Sequence, residues 1–151
     1  MKIVLSNSQM MMCAQVGVIR HLQFIKREAR PMYGLDVNTD WKLQIEGAMS
    51  EYALAKYLNV HWEGVGFPDA DDVGKEDVRV TEYDDGHLIL HPRDKDHKNY
   101  WLLTGKNGQY TVRGFIKGKE GKSDKYWRKR ILPDGRDRSA YFVPQSVLQL
   151  F

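Results

Sequence analysis

The chain reads as an α+β protein, helices layered on a sheet in a single domain, and three observations predict it. Apolar residues recur at helical spacing through two long stretches before residue 60. From residue 77 the pattern changes to short alternating segments rich in β-branched and aromatic residues. The turn dipeptides Asp85-Gly86 and Asn107-Gly108 punctuate those segments. Helices first and strands after suit an α+β layering, and 151 residues suit one domain with one substantial core.

The first helix is expected to start near Ser6 or Ser8, either of which can cap orphan amides. It runs through SQMMMCAQVGVIRHLQFIKREAR and stops before Pro31, whose ring disfavours helix in the preceding residue. Met10, Met11 and Met12 read as adaptable core or interface filling. A second helix, capped by Thr39 or Asp40, runs to about Asn59. One of its faces carries Leu43, Gly47, Glu51, Leu54 and Leu58. Glu51 thus falls in an apolar row, with Gly47 leaving room one turn earlier. An ionised carboxylate there needs a partner, such as an arginine or a cation, or a place at the row's edge.

After a loop with Gly64, Gly66 and Pro68, the segments DVRVTEY (77 to 83) and HLILHP read as strands joined at Asp85-Gly86. NYWLLT and QYTVRGFI read as a second pair, joined at Asn107-Gly108, giving a meander of three or four strands. Gly114 marks a bulge or a close-packing position. AYFVPQSVLQLF reads as a short strand to Val143 followed by an apolar turn. The single domain therefore divides into an N-terminal helix at about 7–30, a core at about 39–116 and a basic segment at 117–151.

Hydrophobic residues make up 42% and charged residues 28%, an ordinary globular balance rather than a disordered one. No apolar run approaches the ~18 residues needed to cross a bilayer, and MKIVLSNSQ is too short an apolar opening for a secretory signal. Cys13 is the sole cysteine, so an intramolecular disulfide and a cysteine-based zinc cluster are excluded. The cytoplasm is the expected compartment, and no Walker-type or dinucleotide fingerprint is present.

The net charge of +3 hides two poles. Residues 117 to 138 carry nine Lys and Arg against four Asp and Glu. Its cations Lys117, Lys119, Lys122, Lys125, Arg128, Lys129 and Arg130, interleaved with Trp127, suit phosphate contacts with an aromatic on which a base can stack. Residues 69 to 85 carry eight carboxylates against two cations. Hard divalent ions such as Mg2+ or Mn2+ take oxygen ligands, often one or two carboxylates with waters and a substrate phosphate. Asp72, Asp77 and the helical Glu51 could supply the carboxylates, with the Val78 carbonyl as a further oxygen. Arg79 falls on the strand face of Asp77, where its charge could steady a transition state. A second metal set, His87, His91, Asp94, Asp96 and His97, is imaginable for zinc; solvated histidines, with Asp94 stabilising the loop after Pro92, are its plain alternative.

GAMSEYALAKYL (47 to 58), DVGKEDVRVT with GHLILHPRDKD (72 to 96), and YTVRGFIKGKE with AYFVPQ together resemble small phage-encoded members of the PD-(D/E)XK nuclease superfamily. The resemblance implies a restriction-endonuclease-like central mixed sheet flanked by helices, and Mg2+- or Mn2+-dependent hydrolysis of nucleic acid, DNA above all. It places Glu51 as helix carboxylate, Asp72 as first metal ligand, Asp77 as second and Arg79 in the lysine position, and it makes the compartment host cytoplasm. Two departures stand out. Arg79 stays protonated and cannot serve as a base, and Asp72 lies only five positions before Asp77, so Asp69, after Pro68, competes for the first-ligand role. The alternative expectation is a catalytically silent domain of the same kind that binds nucleic acid or a phage or host protein. A third expectation is a structural phage protein that dimerises through the amphipathic first helix, although a dimer is also compatible with a nuclease.

Overall fold

The computed structural model describes residues 1–26, 40–64 and 72–151. The expected helix end before Pro31, the Gly66 and Pro68 loop and the rival ligand Asp69 lie outside them. Among the described residues the fold is α+β, in this order: β1 (Lys2–Val4), α1 (Asn7–Lys26), α2 (Asp40–Leu58), β2 (Glu76–Thr81), β3 (Leu88–Leu90), β4 (Asn99–Lys106), β5 (Gln109–Lys117), a one-turn α3 (Gly118–Gly121), β6 (Trp127–Arg128) and β7 (Ala140–Val143).

Local chemistry sets both long helices. Ser6 Oγ accepts the Gln9 N–H at 3.3 Å while Gln9 Oε1 accepts the Ser6 N–H at 2.8 Å, a reciprocal capping box at the start of α1. α2 ends where Asn59 turns left-handed (φ 53°) and the Val60 N–H reaches the Ala55 carbonyl, the Schellman closure. The close approach between the helices lies at Gly17, not Gly47. A Cβ on Gly17 would sit 2.7 Å from Ile45 Cα, whereas one on Gly47 would meet nothing within 4 Å.

The strands form two sheets rather than one meander. The first has order β1-β5-β4-β2, with β2 parallel to β4 and the other pairs antiparallel. The second has order β3-β7-β6 and is antiparallel. Asp85-Gly86 does lie in a turn, closed by the Gly86 N–H on the Tyr83 carbonyl. The chain beyond it crosses to the second sheet, so the expected β2–β3 hairpin does not form. β4 and β5 do make the expected hairpin, with Asn107 and Gly108 both at positive φ (53° and 76°). Gly114 is a bulge and a close-packing position at once. The β4–β5 register shifts beside it, and a Cβ there would lie 2.5 Å from the Gln149 carbonyl oxygen.

Alternation along β4 joins two cores. Trp101 and Leu103 face α1 and α2, with Cys13, Leu54, Val78, Tyr110 and Val112. Tyr100 and Leu102 face the second sheet, with Leu88, Leu90, Ile116 and Val143. The molecule is thus three-layered: helices, a mixed sheet, and a small antiparallel sheet. No helix among the described residues is long and apolar enough to cross a membrane.

Candidate functional site

β2 is an edge strand whose two faces serve different purposes. Val78 points into the helix-side core, so Asp77 and Arg79 project toward the second sheet. Glu76, on the Val78 side, accepts the Trp101 indole N–H at 2.6 Å. Immediately before the strand the chain folds back. Asp72 Oδ2 accepts the Val78 N–H at 2.8 Å, which seats its carboxylate against the backbone beside Asp77.

Glu51 occupies the helix-side wall and is buried. Arg20 of α1 grips it with two hydrogen bonds, 2.6 Å to Oε1 and 2.7 Å to Oε2. The Trp62 indole adds a third at 3.1 Å, and Arg20 also donates to the Gly64 carbonyl. Of the alternatives open for a carboxylate in an apolar row, an arginine partner is the one adopted. Burial opposes the Arg20 charge, but its hydrogen bonds to Glu51 and the Glu51 charge outweigh that, and Asp72 adds to them, so the guanidinium is held above its ordinary value.

Asp72 stands between the other acids electrostatically. Its carboxyl is pushed from 3.8 up to about 6, first by burial, then by the Glu51 charge, with a further push from Asp77. The Val78 N–H and Arg79 pull the other way. Asp72 thus feels both the helical Glu51 and its near neighbour Asp77.

The cation on Asp77 is Lys98, whose Nζ lies 3.1 and 3.2 Å from its two oxygens. Arg79 does something else. It donates to Asp94 Oδ1 at 3.3 Å and to the Val78 carbonyl at 3.2 Å, and its guanidinium carbon lies 5.2 Å from the centre of the Tyr100 ring. Lys98 is not legible in the sequence as a partner of Asp77, because the parallel register, Glu76 on Asn99 and Asp77 on Tyr100, is what delivers it. Its only local signal was a lysine immediately before a strand.

The donor set bears on an ion in two ways. Among the described residues, no group of three or more His, Cys, Asp and Glu is arranged to hold a metal. Glu51 is enclosed by Arg20 and Trp62, which favours a positioning role over direct ligation. Asp72 and Asp77 remain as two oxygen donors, Asp77 with Lys98 on both its oxygens and the Val78 carbonyl accepting from Arg79; magnesium takes one or two carboxylates, keeps waters and takes substrate phosphate. In the histidine set, His87 and His97 are exposed, and Asp94 accepts the His91 backbone N–H at 2.8 Å and Arg79, closing the turn after β3. Asp96 pairs with Lys122, and burial lowers the His91 pKa.

The expected nucleic-acid residues divide. Lys122 holds Asp96 and the Pro92 and Asp94 carbonyls, and Trp127 packs edge-on against Tyr141 at 4.8 Å. Lys125 lies over the Tyr126 ring, and Arg128 donates to the Lys125 and Trp127 carbonyls. Lys117, Lys119, Lys129 and Arg130 are exposed. Arg130 also borders a cavity of about 720 Å3 lined by Arg79 of β2, Ile89 of β3 and Phe142 of β7. On α1, Met11, Met12, Ile19, Leu22 and Ile25 are exposed apolar residues on the helix expected to dimerise.

No family model, curated protein or solved structure matches this chain.

Proposed function

We propose that the protein hydrolyses phosphodiester bonds of nucleic acid, DNA above all, with Mg2+ or Mn2+ held at Asp72 and Asp77. One observation carries the reading: Asp72 is folded onto the N–H beside Asp77, within the field of Glu51. After burial, the Glu51 and Asp77 charges raise the proton affinity of Asp72, and a divalent cation would relieve that repulsion. The same residues carry the resemblance to PD-(D/E)XK nucleases.

When bound, the metal lowers the pKa of its water and neutralises charge developing on the phosphoryl group. The residues of the chain do the rest. Asp72 and Asp77 offer oxygens, and the Val78 carbonyl follows Asp77 in the strand. Lys98 sits on the Asp77 carboxylate and supplies positive charge beside the second acid, where Arg79 was expected to do so. Arg79 holds its place through Asp94 and Tyr100 and presents a guanidinium to a phosphate entering along that face. Glu51, gripped by Arg20, fixes the negative field behind Asp72.

The test is incubation of single- and double-stranded DNA with the protein, with and without manganese, beside Asp77→Ala. Metal-dependent products from the wild type that vanish with the variant support the assignment. Undiminished cleavage by a folded Asp77→Ala removes it. The double grip of Arg20 on Glu51 favours a second reading, a silent domain of this kind that only binds. That reading gives salt-sensitive DNA binding and no product with either metal.

A further inference from the structure

A cavity beside the edge of β2 joins features that neither sheet holds alone. One wall is β2 at Arg79, and another is the face of β3 and β7 turned away from the shared core, with Ile89 and Phe142. The loop between β6 and β7 covers the third side with Arg130, Leu132 and Arg138. That loop is closed on itself: the Arg138 N–H donates to the Arg130 carbonyl, and the Leu132 N–H to that of Arg136. Three arginines thus border a space whose remaining walls include apolar and aromatic side chains. Its volume, about 720 Å3, lies within the roughly 300–1,000 Å3 of sites that enclose small ligands.

We infer that this cavity receives one nucleotide of a single-stranded nucleic acid, its base between Ile89, Leu132 and Phe142 and its phosphates on Arg79, Arg130 and Arg138. Charge selects a phosphate: planar guanidinium forks match phosphate oxygens. Shape selects a base, because apolar and aromatic walls reward a π-face and gain nothing from an inorganic anion. Strandedness follows from the same walls. A duplex offers phosphates and groove edges, and it can place a base here only by unpairing and unstacking it. The inference deepens the nuclease reading and rests on it for the place of the cut phosphate, which would reach Asp77 past Arg79 on the same strand face.

The experiment reads binding in EDTA, so cleavage cannot intrude. A fluorescein-labelled single strand of about ten nucleotides and the blunt duplex of the same sequence are titrated by anisotropy. The single strand is expected to bind about tenfold or more tightly than the duplex. Arg130→Ala and the cavity-filling Ile89→Trp should each weaken single-strand binding roughly tenfold. Both variants are checked for a wild-type thermal transition. Thymidine monophosphate should displace the strand at concentrations where inorganic phosphate does not. Equal affinity for duplex, equal displacement by phosphate, or unchanged binding by both folded variants overturns the proposal. Absence of cleavage in manganese would instead sink the nuclease reading and leave these binding results standing.

Discussion

Replacing Arg20 by methionine would leave the Glu51 carboxylate with the Trp62 indole as its remaining described partner. The pair is well shielded, with side-chain exposures of 19% for Arg20 and 8% for Glu51. Removing one member of a buried pair costs about 3–5 kcal/mol, because the other charge stays behind uncompensated. For a chain of this length each kcal/mol moves the Tm by about 2–4 °C, so the expected fall is about 6–20 °C. Adding Glu51→Gln should recover most of the loss, since glutamine accepts the indole N–H without carrying charge. Thermal melts followed by circular dichroism, on wild type, both single variants and the double, give the coupling directly. A single variant within about 1 kcal/mol of wild type, the range of exposed pairs, would refute the argument. So would a double variant no more stable than Arg20→Met.

Asp72 gives a pH dependence of definite sign. Its carboxyl stands at about 6 when folded against 3.8 ordinarily, so the folded state holds the proton more tightly and stability falls as pH rises through that window. Asp72→Asn should remove the fall, gaining up to about 3 kcal/mol near neutrality and nothing toward about pH 4. Urea midpoints at both pH values decide, and equal gains at both contradict the assignment. Manganese at about a hundred times its Kd should stabilise the wild type by about 2.7 kcal/mol and Asp72→Asn far less; equal shifts by calorimetry would place the ion elsewhere. Lys98→Met should cut metal-dependent cleavage by about 10²–10³ while Lys98→Arg keeps part of it, read as single-turnover rates; an unimpaired methionine variant removes Lys98 from the site. Gly17→Ala should cost about 1–3 kcal/mol by overpacking against Ile45, and a neutral melt would mean that the helices separate freely.

The parts of the fold visible in the sequence were those decided within a few residues. Ser6 and Gln9, Asn59, and Asn107-Gly108 act on their immediate neighbours, so the helix start, the helix end and the β4–β5 hairpin were legible. Glu51 was legible as a carboxylate needing a partner, but not which partner, since Arg20 meets it only because α1 and α2 cross at Gly17. The Asp85-Gly86 turn shows the limit well. The local turn forms, yet the strands around it pair elsewhere, β2 with β4 and β3 with β7, because sheet membership is set by distant burial. The three residues of β1 are too few for a period, and β6 has only two. Lys98 reached Asp77 through the same unread parallel register.

β4 belongs to the helix-side core through Trp101 and Leu103 and to the opposite core through Tyr100 and Leu102. A partition with anchors in both rooms cannot be dismantled for one alone. Loosening either side exposes the strand that the other side leans on, so the two halves should melt in a single cooperative step. The amides of β4 should then be the last in the molecule to exchange with solvent deuterium, at the full free energy of opening.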